Sequence, residues 1–409
     1  MDPLVKTYLK THSFKQLEDE HGVCARPDSR SGNKFSLNYD MILVKNGDPI
    51  AEQCRGMVIR TFTVNGLDDN WQDAIVGDLD VLAWPMNRFY NLGDPAAVNI
   101  DWSDPDLRVY EKLDGTMIVF YWDSHEGKWH SATRGVSEAD LPIKQDDMTI
   151  GNTTFSGLFW TALEATYNES IGDSAEYDFD SWLCRSFDCD VTYVFELTTP
   201  YNRIVVKYDK PSVTLLAARH KRSGEEIPVE LLSIQNVPRP KTWNIKSPSA
   251  LEAFVNSADP AQLEGAVVCD SQFRRLKVKN KAWVLSSKAK DLVTVSRRSA
   301  LLAIINGDID DVIPLIDADI AAELERMRLG LRTYLSEIDV RYADFKAQSG
   351  DNRKTFAGFV MQSGDWTPAY FNMWEGKAKN AHDWVRSMAV KGKLSSGSLD
   401  VILSKIKQA

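Results

Sequence analysis

No apolar run in the 409 residues approaches the roughly 18 needed to span a bilayer; the longest, such as Met117 to Trp122, are strand-sized. The opening MDPLVKTYLKTHSFKQLEDEHG lacks the continuous apolar segment of a signal peptide, so neither membrane contact nor export is expected. Cysteine is sparse: Cys24, Cys54, Cys184, Cys189 and Cys269 are odd in number and include no Cys-x-x-Cys, which excludes a disulfide framework and a zinc site and points to a reducing cytosol. The six histidines form no metal-spaced cluster, and His125 beside a turn is expected to face solvent. There is no Gly-x-x-x-x-Gly-Lys-Ser/Thr loop, hence no P-loop kinase, and no internal repeat or low-complexity segment. Positive charge is short as well. The 48 basic side chains face 58 acidic ones, a net −10 that argues against a protein built chiefly to grip polyanions.

What remains is an ordinary globular balance, 43% hydrophobic and 26% charged, long enough for two or three domains. Between about residues 40 and 285 short β-prone runs alternate with turn signals. Met117 to Trp122, a turn at His125-Glu126-Gly127 and Lys128 to Thr133 predict a hairpin. Val191 to Leu197, Arg203 to Tyr208, Val213 to Arg219, Gly265 to Cys269 and Phe273 to Lys279 predict further strands, with helices near Gly157 to Tyr167 and Ser249 to Val255. This half reads as α+β with mainly antiparallel sheets flanked by helices. Beyond it, Ile320, Leu324, Met327, Leu331, Leu335, Ile338, Tyr342 and Phe345 recur at steps of three and four, the pattern of a long amphipathic helix. Val293 to Ile305, Ala378 to Val390 and Ser398 to Lys407 are also helical candidates. The expected organisation is a domain over 1–290 and an all-helical domain over 291–409, in which Trp366, Tyr370, Phe371, Trp374 and Trp384 pack helices together.

Chemistry concentrates in Tyr110-Glu111-Lys112-Leu113-Asp114-Gly115-Thr116. A Lys-x-Asp-Gly match alone is cheap, but a lysine made partly neutral by burial or by neighbouring cations is a nucleophile, and Gly115 lets a phosphate approach the backbone. Cations lie downstream, where Arg275, Lys277 and Lys279 share one face of a strand. That face fits an anion between them, and equally a solvated edge strand protected by lysines. Glu196 and Glu264 sit in or beside otherwise apolar strands, where a carboxylate needs a partner: a metal ion, a sugar hydroxyl or a strand-end salt bridge. Tyr39, Phe89, Tyr90 and Trp283 are candidates either for stacking on bases or for the core.

In combination, Lys-x-Asp-Gly, a strand glutamate, Glu-Gly before an apolar strand and Lys-x-Lys resemble the lysine nucleotidyltransferases. The closest resemblance is to the phage-type RNA ligase 1 family. It is carried most specifically by Phe195-Glu196-Leu197-Thr198-Thr199-Pro200-Tyr201-Asn202-Arg203-Ile204-Val205-Val206, with Cys54-Arg55-Gly56-Met57-Val58 and Pro85-Met86-Asn87-Arg88-Phe89-Tyr90-Asn91 upstream. It spans roughly residues 35 to 290, and a trailing helical domain also fits.

The resemblance implies a nucleotidyltransferase domain that adenylylates Lys112 from ATP with Mg²⁺ or Mn²⁺, then joins RNA 3′-hydroxyl and 5′-phosphate ends, nicked tRNA among the implied substrates. Lys277 and Lys279 would be catalytic on the α-phosphate. ATP would contact Arg55, Arg88, Glu111, Asp114, Gly115, Arg134, Glu196 and Glu264, with Tyr39 against the base, and Glu196 and Glu264 would hold the metal. Arg88 and Arg134 stand where lysine is commoner; arginine keeps the charge and adds bidentate geometry. A monomer in a bacterial or phage-infected cytosol is implied. The alternatives are a DNA ligase or capping guanylyltransferase of the same superfamily, and a non-catalytic RNA-binding protein. The first usually continues into a β-rich domain where this chain turns helical, and the second need not retain the full residue set. RNA contact is assigned to Arg274, Arg275, Lys281, Lys288, Arg297 and Arg298, because residues 271 to 298 carry a local +8 within an otherwise acidic chain.

Overall fold

In a computed structural model the structure describes residues 2–40, 43–140, 142–145, 148–171, 178–234, 236–294, 297–307, 309, 313, 318–362 and 366–406. The chain divides into two compact units, Met1–Asn280 and Lys281–Ala409.

The predicted hairpin forms as Thr116–Asp123 and Lys128–Thr133, turning on Gly127 in the left-handed region at φ 66°. Asp123 closes the turn by accepting from the His125 and Glu126 amides. His125 stays near the surface and meets Asp80 at 2.8 Å. This hairpin belongs to a five-stranded sheet whose spatial order is Glu226–Ile227, Ser212–His220, Val191–Thr198, Thr116–Asp123, Lys128–Thr133. Its apolar face buries Ile118, Phe120 and Phe195 against Phe159 and Leu163 of the helix Phe155–Ile171 and against Trp182 and Leu183 of Phe179–Ser186. A second five-stranded sheet runs Thr242–Trp243, Arg108–Lys112, Gly265–Cys269, Arg275–Lys279, Tyr90–Asn91. The helix Pro248–Ser257 packs Leu251 and Val255 onto it. Val23–Pro27, Lys34–Tyr39, Arg55–Thr61 and Leu79–Ala83 form a four-stranded antiparallel sheet.

Two joints between these sheets matter for function. Arg108–Lys112 ends in one five-stranded sheet and Thr116–Asp123 begins in the other, so Leu113, Asp114 and Gly115 make the crossing. A Cβ on Gly115 would lie 2.4 Å from the Leu197 carbonyl oxygen, so the glycine serves the close approach of two protein strands. Gly115→Ala must therefore push the crossing off Leu197. A loss of about 1–3 kcal/mol is expected from urea midpoints.

The sequence pattern predicts a strand over Arg203 to Tyr208, and the structure corrects this: the segment pairs with no strand. Its amides go elsewhere. Val205 and Val206 both donate to Asp114 Oδ2 at 2.8 Å, which leaves them unavailable to a ladder.

The second unit is helical throughout its described elements, the longest being Ala318–Ser349, with Leu324, Met327, Leu331, Leu335 and Ile338 buried. Trp366, Tyr370, Phe371, Trp374 and Trp384 pack into this core, and the Trp366 indole donates to Tyr334 Oη at 2.7 Å. No described helix is long and apolar enough to cross a membrane. All five cysteines are free.

Candidate active site

Strand register brings the sequence-separated candidates together. Gly265 pairs with Lys112 on one side and with Lys279 on the other. The residue before it, Glu264, therefore meets both amines: Oε2 lies 2.6 Å from Lys112 Nζ and Oε1 2.9 Å from Lys279 Nζ. Its side chain is nearly inaccessible at 4%, while the two lysine side chains keep 23% and 29% of their surface open. Gly265 itself admits no side chain, because a Cβ would stand 2.1 Å from the Val278 carbonyl oxygen.

The other sheet supplies Glu196, paired with Met117 two residues past the crossing. Its Oε1 accepts from the Gly115 amide at 3.1 Å. Burial pushes the Glu196 carboxyl up to about 7, against the opposing pull of Lys112, with the charge of Glu264 adding to the rise. Lys277 is pushed down to about 8, by burial first and then by Arg55, Lys112 and Lys279. The Glu196 shift has a sign that can be checked. The native protein retains a proton that the unfolded chain releases above 4.5, so stability from this group is full below that pH and is lost as pH rises through about 7. Urea midpoints of the wild type should fall between pH 5 and 7 relative to those of Glu196→Gln, where the slope from this group vanishes.

Lys112, Glu111 and Glu196 line a small cavity of about 70 Å³ with Arg55 and Arg275, walled by Met86, Phe89, Leu113, Leu216, Pro240 and Val267. Charged groups and apolar walls lining one cavity suit a ligand with an anionic and an apolar part. Phe89 is shared by two cations, Arg55 at 5.3 Å and Lys277 at 5.5 Å from the ring centre. Burial lowers the Arg55 pKa, and Arg55 Nη1 is a buried donor without a hydrogen-bond partner, the state expected of a group that awaits an anion. Gly56, at φ 82°, lets this strand lie against Arg134, whose Cα would be 3.0 Å from an added Cβ.

Arg88 lies between two rings, 4.5 Å from Tyr39 and 4.7 Å from Tyr90, and donates to Asn46 Oδ1 at 3.0 Å. Arg134 sits 5.9 Å from the Tyr39 ring. Tyr39 is thus buried under guanidinium groups and does not line the slot. Asp114 is 2% exposed and engaged with Val205 and Val206, while its own amide donates to Tyr208 Oη at 3.2 Å. The structure therefore gives Asp114 an internal anchoring task.

The basic candidates are placed differently from a bare strip. Arg274 pairs with Asp270 at 2.7 Å, Arg275 with Glu226 at 2.6 Å, Arg297 with Glu323 at 3.4 Å and Arg298 with Asp400 at 2.6 Å. All four carboxylates lie outside residues 271–298, so the local charge count could not register them. Lys281 opens the first helix of the second unit, and Trp283 is buried. The side chain of Lys288 lies outside the described residues.

Sequence reading missed the slot walls Leu216, Pro240 and Val267 and the Arg219–Glu226–Arg275 cluster beside them. It also missed a buried charge network remote from Lys112. There Asp123, Glu126 and His130 are close enough to share one metal ion. The Lys34 ammonium already fills that place, 3.1 Å from Asp123, 2.7 Å from Glu126 and 3.1 Å from Glu138, and Arg60 adds a second cation. The network ties the four-stranded sheet to the Thr116–Thr133 hairpin.

A family model described as RNA ligase matches residues 53–291. A protein of Autographa californica nuclear polyhedrosis virus named as a bifunctional polynucleotide kinase/RNA ligase is 28% identical over 291 residues, which cover 68% of this chain and 37% of that protein. An RNA ligase of Rhodothermus phage RM378 is 27% identical over 186 residues, 41% of this chain and 36% of that one. The chain thus spans little more than a third of the length of these relatives. Among solved structures, an archaeal ATP-dependent RNA ligase is similar at a TM-score of 0.39 and 15% identity, covering 88% of this chain and 94% of that chain.

Proposed function

The chain belongs to the phage-type RNA ligase 1 family, and from that premise we propose that it is an ATP-dependent RNA ligase acting through a lysyl-AMP intermediate at Lys112. The observation that carries the reading is the meeting of Lys112, Lys279 and Glu264 at 2.6 and 2.9 Å beside the slot that Glu196 and Arg55 line. In the first step the deprotonated Lys112 nitrogen attacks the α-phosphorus of ATP, a phosphorus–nitrogen bond forms, and the bond to the β-phosphate oxygen breaks to release pyrophosphate. The apolar walls take the adenine, and Arg55 with its unpartnered Nη1 takes phosphate oxygens. Lys279 and Lys277 offset charge that develops on the α-phosphate. The AMP then passes to an RNA 5′-phosphate, and an RNA 3′-hydroxyl displaces AMP to seal the strand.

Glu196 and Glu264 fit a divalent cation. They are two buried carboxyls, and Glu196 is pushed up to about 7 by burial, with the charge of Glu264 adding to the rise. No described cluster of three or more ligating side chains lies here, which suits Mg²⁺ or Mn²⁺ held by one or two carboxylates and the substrate phosphates. Bound there, the ion would neutralise phosphate charge. Lys112, not Lys277, is assigned as nucleophile because it lines the slot, whereas Lys277 does not and its ammonium lies 5.5 Å from the Phe89 ring centre.

RNA with 5′-phosphate and 3′-hydroxyl ends is the proposed substrate, nicked tRNA included. Arg274, Lys281, Lys288, Arg297 and Arg298 remain proposed backbone contacts, whereas Arg275, its side chain 10% exposed and held by Glu226, is withdrawn from that set. For the three other paired arginines, contact requires phosphate to compete with a carboxylate, so affinity should fall with salt. The test is a sealing assay with ATP and Mg²⁺ on 5′-phosphorylated RNA and on DNA of the same sequence. Sealed RNA with little sealed DNA supports the reading, sealing of DNA alone indicates a DNA ligase, and label incorporated only from GTP indicates capping chemistry.

A further inference from the structure

The second joint between the two five-stranded sheets is ionic and buried. Glu226, on the edge strand of the Glu196 sheet, is 5% exposed and accepts from two arginines at once. Its Oε1 receives Arg219 Nη2 at 2.6 Å and Arg275 Nη1 at 3.0 Å; its Oε2 receives Arg275 Nη2 at 2.6 Å. Arg275 opens the strand that carries Lys277 and Lys279, in the sheet that also carries Lys112. Arg219 continues the chain of contacts. Its Nη1 donates to the Pro85 carbonyl and to Asn87 Oδ1, both at 2.8 Å, and its guanidinium lies 5.2 Å from the Trp84 ring. The segment so held leads directly into Arg88 and Phe89.

We propose that Glu226 is a positioning residue for lysine adenylylation: it locks the two sheets at the separation that sets Lys112 and the Lys277/Lys279 strand against the nucleotide slot, and through Arg219 it fixes the Phe89 wall. Three observations support this. Glu226 does not line the slot itself, but both of its partners reach it, Arg275 directly and Arg219 through the Pro85–Phe89 segment. The bridge joins strands that have no hydrogen-bonded ladder with one another, so no backbone pairing can take over its role. Buried Arg–Glu–Arg clusters can often be exchanged for apolar side chains without loss of stability, so burial alone gives no reason for this one. Directional, bidentate contacts give what an apolar contact cannot, a fixed distance and angle.

The inference rests on the ligase reading, and its experiment separates the two. Full-length wild type, Glu226→Gln and Glu226→Asp are mixed with Mg²⁺ and varied α-labelled ATP. Single-turnover formation of the covalent nucleotide then gives a limiting rate and a half-saturating ATP concentration, and thermal unfolding reports the folded fraction. If wild type takes no label, the ligase reading fails. If it does, a displacement of about 1 Å at the reacting atoms is expected to cost Glu226→Gln about 100-fold in limiting rate. Its half-saturation should stay within about threefold, and Glu226→Asp should regain about tenfold of the loss. A limiting rate in folded Glu226→Gln equal to that of wild type would overturn the inference, as would a loss that only tracks the unfolded fraction. If Glu226→Gln does not fold, Arg219→Lys decides. It retains the charge and loses the grip on Pro85 and Asn87, and the same fall is expected of it; an unchanged limiting rate overturns the proposal.

Discussion

Glu264→Ala is expected to lower the rate of covalent nucleotide transfer on the order of 10²–10³-fold while leaving the protein folded. The carboxylate holds Lys112 and Lys279 at 2.6 and 2.9 Å, and both lysine side chains are partly exposed, so its removal does not leave a fully buried cation behind. The cost falls on geometry and charge. Two ammonium groups on the strands flanking Gly265 lose their common counterion, and Lys277, pushed down by burial and then by neighbouring cations, loses a carboxylate that opposes the shift. Glu264→Gln, which can accept from only one amine through its amide oxygen, should fall between the alanine variant and wild type. The measurement is pre-steady-state labelling with α-labelled ATP, with thermal unfolding recorded in parallel. A Glu264→Ala rate within tenfold of wild type would remove this residue from the site.

Asp114→Ala should lose both stability and activity. Its carboxylate satisfies the Val205 and Val206 amides in a buried setting, and each orphaned amide costs about 1–3 kcal/mol. A total near 3 kcal/mol is expected in urea unfolding. Because Asp114 lies two residues beyond Lys112 in the crossing, release of this anchor also frees the lysine, and labelling should drop even at temperatures where the variant is folded. Asp114→Asn keeps an acceptor oxygen and should recover more stability than activity. A variant of normal stability and slow labelling would instead return Asp114 to direct contact with substrate.

These two residues mark how far the sequence could be read. Apolar, β-prone runs such as Met117 to Trp122 become strands because one face meets Phe159 and Trp182 across the core. The same β-prone character in Arg203 to Tyr208 misleads. A carboxylate about 90 positions away takes its amides, and no local pattern reports that. The Lys112–Glu264–Lys279 meeting follows from register, with Gly265 opposite both lysines, and from sequence it was visible only as motif order. Gly115 was identified as important, but the close neighbour turned out to be Leu197. The ion pairs of the basic stretch after residue 271 escape a local charge count for a similar reason, since Glu226, Glu323 and Asp400 come from elsewhere in the chain and Asp270 lies just before the stretch.

The site contains two amines with a claim to nucleophilicity. Lys112 stands at the slot, while Lys277 has its pKa pushed down to about 8. Incubation of the protein with ATP and Mg²⁺, proteolysis and mass spectrometry of the modified peptide distinguishes them in one step. The account predicts a single adenylyl group on Lys112, absent from Lys112→Ala. An adenylyl group on Lys277 or Lys279, or none on any lysine, would contradict it.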